Sequence, residues 1–160
     1  MTARCPAPGH RGAARSEGLQ LAPAGLAWAP NGNLLVNLST NSTLSVIDRA
    51  TNTVVKQIPV GNVPNVVTVI NGKAYVSNQG GRPAQTGDQT DSSYGTDIVT
   101  NGNSDTVPST GTVSDVDLGT GQQVKTFTVG VEPSAMLASG TDLIITNTNN
   151  DTVSVIDTAQ

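Results

Sequence analysis

From Thr43 the chain alternates short apolar runs with polar clusters. In TLSVIDRATNTVVKQIPVGNVPN, Thr43 to Asn65, Leu44, Val46, Val54, Val55, Ile58 and Val60 supply apolar positions, and Asp48 to Thr53 is a polar turn cluster. β-Branched residues flanking a polar cluster predict two strands joined by a turn. The same text returns as TVSDVDLGTGQQVKTFTVGVEPS, Thr112 to Ser134, and begins again as TVSVIDTAQ from Thr152. Asp48 and Asp117 lie 69 positions apart, as do Gly61 and Gly130, and Pro64 and Pro133; Asp117 and Asp157 lie 40 apart. A repeated unit therefore governs the fold.

Each unit resolves into four short strands. In the first these are Gly25–Ala29, Leu34–Leu38, Thr43–Asp48 and Thr53–Val60, with Asn31-Gly32 between the first two as a type I′ hairpin signal. Unit two opens with Asn65–Ile70, the signal Asn71-Gly72, and Lys73–Asn78. Unit three has Ser134–Ala138, the turn Ser139-Gly140, and Leu143–Asn147. No helical periodicity is evident. Asn78 to Asp117 spans 39 positions where Asn147 to Asp157 spans 10, so unit two carries 29 extra residues, roughly Gln79 to Gly111. Their Gly, Asp, Ser, Thr, Pro and Gln read as a loop with one apolar spot, Ile98-Val99. Loops of that length are usually functional or disordered.

Four antiparallel strands at a period near 40 are the signature of a β-propeller blade. The fold class expected is all-β: a partial propeller of about two and three-quarter blades. Residues 1–22 are expected to be a disordered or non-native N-terminal segment. Residues 23–160 form the propeller: blade 1 about 24–61, blade 2 about 64–130 with the insertion 79–111, and blade 3 about 133–160, incomplete. Propellers close with roughly four to eight blades, so this chain is not expected to close a ring alone. Its open blade edges suggest self-association.

Composition narrows the function. Hydrophobic residues make up 36% and charged residues only 12%, with a net charge of −4. Eight Lys and Arg supply no basic stripe for nucleic acid. Aromatics, at 2%, are too few for base-stacking platforms. No segment approaches the ~20 apolar residues of a membrane span. Cys5 is the lone cysteine, so no disulfide framework is expected. The N-terminal positive charge is not followed by the apolar stretch of a signal peptide.

Catalytic chemistry is hard to place. His10 is the lone histidine and lies in the N-terminal segment, so neither a Ser/His/Asp triad nor a histidine metal site is expected. Glu17 and Glu132 are the two glutamates. The recurring Asp48, Asp117 and Asp157 could ring a metal, but each ends a strand where a carboxylate accepts turn N–H groups, and that reading is preferred. Gly61 with Pro64, and Gly130 with Pro133, mark the blade-to-blade crossings. No catalytic, cofactor-binding or metal-binding residue is expected, and no cofactor.

The insertion is the one functional candidate. Arg82 against Asp88, Asp91, Asp97 and Asp105 gives it a local charge of −3. With Tyr94, Ile98 and Val99 these residues make a candidate interaction loop for a protein partner or adjoining domain. A cation site is conceivable, but a solvated acidic loop is the preferred reading. The insertion should emerge on the face that also carries the crossings.

YVSN at Tyr75–Asn78, IITN at Ile144–Asn147, LSVIDRATNTVVKQIPVG and DTVSVIDTA resemble the YVTN-type β-propeller repeat of bacterial and archaeal surface and periplasmic proteins. SNQGGRP, GDQTDSSYGT and STGTVSDVDLGTGQQV resemble a branch in which the propeller precedes an alkaline-phosphatase-like phosphoesterase domain. The resemblance implies a seven-bladed propeller outside the cytoplasm, periplasmic or at the cell surface. The expected function is a non-catalytic binding or scaffold module within a larger exported protein. One alternative is the propeller portion of a bifunctional phosphoesterase whose catalytic domain is not in this sequence. Another is a fragment of a propeller lactonase or quinone dehydrogenase.

Overall fold

The alternating apolar runs become strands that stack into blades. The structure, a computed structural model, describes residues 22–100 and 107–159. The first blade is a four-stranded antiparallel meander of β1 (Pro23–Trp28), β2 (Leu34–Leu38), β3 (Thr43–Asp48) and β4 (Thr53–Pro59). The second consists of β5 (Asn62–Ile70), β6 (Lys73–Gly81), β9 (Gly111–Asp117) and β10 (Gln122–Val129). The third has β11 (Pro133–Ser139), β12 (Asp142–Asn147) and β13 (Thr152–Asp157). Between β6 and β9 a separate two-stranded sheet is formed by β7 (Thr90–Ser93) and β8 (Thr96–Val99). The first strands of the blades neighbour one another: β5 packs against β1 on one side and β11 on the other. This is the all-β partial propeller that the repeats predict. The disorder expected of residues 1–22 falls almost wholly outside the described residues.

Side-chain alternation builds a core on each side of the second blade. Successive strand residues face opposite ways, so Ala74 and Val76 pack with Leu35, Leu44 and Ile58 of the first blade. Between them Tyr75 packs with Leu143, Ile145 and Ile156 of the third. Leu35, Leu44, Val76, Leu143 and Ile145 have no exposed surface. Each such side chain contributes about 1.5–3 kcal/mol on leaving water, and here the burial comes from the neighbouring blade.

The type I′ expectation, made for the first two units, holds in the second alone. Asn71 and Gly72 both have positive φ, 48° and 80°, as a type I′ turn requires. In the first unit only Gly32 does, at 84°, and its N–H donates to the Ala29 carbonyl. Pro30 fixes φ near −65°, which selects a three-residue loop ending in a left-handed glycine. In the third unit only Gly140 is positive, at 63°, the φ pattern of a type II′ turn.

Candidate functional site

The connections between second and third strands share one end of the blades with the crossings. In the first and third blades this connection is a single 3₁₀ turn, Ser39–Asn41 and Thr148–Asn150, closed by left-handed Ser42 and Asp151. In the second blade the insertion stands there. It was expected to be a loop, and the structure instead contains the β7–β8 hairpin. Tyr94 (φ 50°) and Gly95 (φ 77°) make its two-residue turn. The backbone pairing continues beyond the strands, with Thr100 N–H donating to Gln89 O and Ser109 N–H to Val99 O.

The hairpin is held down at three points. Ile98 is 1% exposed, and its Cγ2 lies 2.6 Å from where a Cβ on Gly80 would stand, with the Val63 side chain beside it. Any residue larger than glycine at position 80 would therefore force Ile98 or its neighbours Asn62 and Val63 to shift. Asn62 donates from Nδ2 to the carbonyls of Asp97 (2.7 Å) and Arg82 (3.3 Å), while its Oδ1 accepts from Ser42 Oγ at 3.4 Å. Thr96 Oγ1 donates to the Thr40 carbonyl at 2.9 Å, which ties the hairpin to the first blade's 3₁₀ turn. At the far end Thr110 Oγ1 donates to Val129 O, beside the second crossing.

The structure separates the candidate residues into groups. Arg82 and Asp88 form a two-pronged ion pair, Nη1–Oδ2 at 2.7 Å and Nη2–Oδ1 at 2.8 Å, and Asp88 also accepts the Gln85 N–H. The Arg82 guanidinium, with that N–H, holds the Asp88 carboxyl down at about 2. Ile98 is withdrawn into the seat below the hairpin, and Val99 is half-buried. Tyr94, 64% exposed at the tip, Asp91 and Asp97 face solvent. Asp105 lies outside the described residues, as do Cys5, His10 and Glu17.

The recurring aspartates serve their own turns. Asp48 Oδ1 accepts from Thr51 N–H at 2.7 Å, Asp117 Oδ1 from Thr120 N–H at 2.8 Å, and Asp157 Oδ1 from Ala159 N–H at 2.9 Å. These N–H bonds lower the carboxyls of Asp48 and Asp117 below the usual range. Among the described residues no three His, Cys, Asp or Glu side chains gather so as to hold a metal ion.

Sequence reasoning passed over the residues that seat the hairpin: Asn62, Thr40, Ser42 and Gly80. A signal existed for two. The crossings Gly61-Asn62-Val63-Pro64 and Gly130-Val131-Glu132-Pro133 differ at their middle positions, and Gly80-Gly81 breaks an apolar strand without a turn. Asn78 and Asn147, which end the YVSN and IITN motifs, were given no role from the sequence. Asn78 Nδ2 donates to Thr112 Oγ1 and Ser114 Oγ, and Asn147 Nδ2 to Thr152 Oγ1 and Ser154 Oγ. Each asparagine lies so close over a crossing glycine, Gly61 or Gly130, that a Cβ there would meet its Cγ at 2.6 Å.

No protein-family model matches the sequence, and no curated protein matches it. Among solved structures, apo AztD from Citrobacter koseri superposes at a TM-score of 0.56 with 11% identity, covering 90% of this chain and 34% of that one. A virginiamycin B lyase from Staphylococcus aureus superposes at 0.40 with 12% identity, covering 88% of this chain and 57% of its own. Both are β-propeller proteins. The first likeness speaks for the fold alone, and the second is too loose to carry an argument. The chain spans about a third of the length of AztD.

Proposed function

We propose that this chain is a non-catalytic binding module, the propeller portion of a larger YVTN-type repeat protein, and that the β7–β8 hairpin is its contact with an adjoining domain. The observation that carries this reading is the division of labour within the hairpin. Ile98 and Asn62 anchor it from below, and Tyr94, Asp91 and Asp97 are presented on a fixed support. An exposed aromatic flanked by acidic residues fits a protein contact, with the ring as the buried anchor and the carboxylates at the polar rim. The complementary surface would be basic with an apolar pocket for the tyrosine ring.

The insertion's likeness to the phosphoesterase-fused branch makes an alkaline-phosphatase-like domain the adjoining domain we favour. Any turnover would then reside there. The outer faces of the first and third blades, with Leu26 and Trp28 and with Leu137, Val153 and Val155 well exposed, are where further blades or a second copy would pack. The test is hydrogen exchange on the longer protein, comparing wild type with a Tyr94→Ala, Asp91→Asn, Asp97→Asn variant. Protection should fall on the neighbouring domain's contact face while the blade strands stay protected. Equal protection in both proteins would remove the hairpin from the interface.

A further inference from the structure

The seam between the first two blades opens, at the end opposite the hairpin, into a cleft of about 460 Å³. Leu35, Val46, Val55 and Ile58 of the first blade and Leu118 of the second make its apolar walls. Lys56 is the one charged residue lining it. Its Nζ donates to the Thr120 carbonyl across the seam at 2.6 Å, and its stem lies over Gly121. An ammonium has three donors, and among the described residues no carboxylate lies within ion-pair distance of this one.

The next seam shows what the same positions look like when filled. Leu35 faces Val46 across its strand pair, and the equivalent pair in the second blade is Tyr75 and Asp115. Ile58 is matched 69 positions on by Phe127, and Lys56 by Lys125. There Lys125 lies over the Phe127 ring at 4.5 Å and Lys73 pairs with Asp115 at 2.8 Å. The first seam thus has aliphatic side chains where the second has two aromatics and a charge, and its lysine is left at the mouth of an open space.

We propose that this cleft binds a small amphipathic carboxylate, with its apolar body against the aliphatic walls and its carboxylate on Lys56. The volume falls in the range of small-molecule sites, which are mostly apolar with a few placed polar groups. A single cation at the rim matches a monoanion; a polyanion would leave charge uncompensated in a chain of net charge −4. The site uses neither the hairpin nor the outer blade faces, so it stands or falls separately from the proposed function.

The test is a heteronuclear NMR titration of the full chain with octanoate and with octanol. Octanoate should shift amides around Leu35, Val46, Ile58 and Leu118. Ile58→Phe, which copies the filled seam, should weaken both ligands by about tenfold or more. Lys56→Met changes an exposed residue and should weaken octanoate by about tenfold while leaving octanol unchanged. The proposal is overturned by shifts elsewhere, by no saturable shift, or by Lys56→Met affecting the two ligands equally. Should Ile58→Phe fail to fold, the lysine variant decides alone.

Discussion

Two crossings carry the chain from one blade to the next, and they share a backbone while serving different loads. Gly61-Asn62-Val63-Pro64 and Gly130-Val131-Glu132-Pro133 both put their third residue in the left-handed region, Val63 at φ 51° and Glu132 at φ 52°. Both begin with a glycine packed under an asparagine amide. They part at the two middle side chains. Val63 is 2% exposed beneath the hairpin, whereas Glu132 is half-buried. Asn62 offers its amide to two hairpin carbonyls, where Val131 has no side-chain donor to offer. The repeat thus dictates the path of the chain, and the residues free of that duty show whether something sits on top. A left-handed residue is strained at both crossings, most of all the β-branched Val63, and burial beneath Ile98 offsets that strain at the first.

The sharpest way to break this comparison is to remove the load. Ile98→Ala should destabilise the hairpin's seat by about 2–5 kcal/mol, the usual range for a buried isoleucine cut to alanine. Urea unfolding followed by circular dichroism measures it. A cost under about 1 kcal/mol would mean that the hairpin rests on the crossing without sharing its core. Truncating the half-buried Val131 of the other crossing should cost less, within about 1 kcal/mol.

A smaller effect comes from exchanging the middle residues. Asn62→Val copies the unloaded crossing and leaves the Asp97 and Arg82 carbonyls without their side-chain donor. An orphaned buried polar group costs about 1–3 kcal/mol, and these carbonyls, being part-buried, should fall at about the lower end of that range. The reciprocal Val131→Asn should cost less, because the third blade's 3₁₀ turn meets that crossing through the backbone of Val131 and Glu132, and not through the Val131 side chain. Thermal melts of both variants check the pair, and equal costs would show that Asn62 serves the crossing itself instead of the hairpin.

What the sequence made legible follows the same division. The blades could be read because apolar alternation and two fixed spacings, 69 and 40, repeat the backbone plan. Turn type could not be read from Asn-Gly alone, because Pro30 adds a conformational restriction of its own. The hairpin was read as loop because Thr90–Ser93 and Thr96–Val99 are four residues each and contain one apolar pair, with no alternation to betray a strand. Its turn, Tyr94-Gly95, lacks the asparagine that usually signals two left-handed residues. Its pairing depends instead on the seat below: Ile98 against Gly80 and Asn62 against two carbonyls, contacts between positions far apart in the chain. Ile98, one of the candidate loop residues, was expected to dock the insertion on its own blade or on a partner, and it docks on its own blade. One apolar residue in a polar segment seeks the nearest core, and here the second blade supplies it.

The smallest expected effect concerns the base of the hairpin, which the other crossing lacks altogether. Arg82 and Asp88 pair through two hydrogen bonds, and the Asp88 carboxyl is held at about 2 against an ordinary 3.8. A lowered folded-state value means that the pair contributes to stability above the ordinary carboxyl value. That contribution is lost as the pH falls from about 4 through about 2. The Ile98 seat does not titrate, so acid should loosen residues 83–88 while β8 stays docked. Carbon-detected NMR of the Asp88 carboxyl should therefore show its inflection near pH 2. Arg82→Gln should move the inflection up toward the ordinary range without reaching it, because the Gln85 N–H still donates to the same carboxylate at 2.7 Å. An inflection already near 4 in the wild type would mean that the ion pair does not persist in solution. The hairpin would then depend wholly on the contacts it makes with the first crossing and with the Thr40 turn.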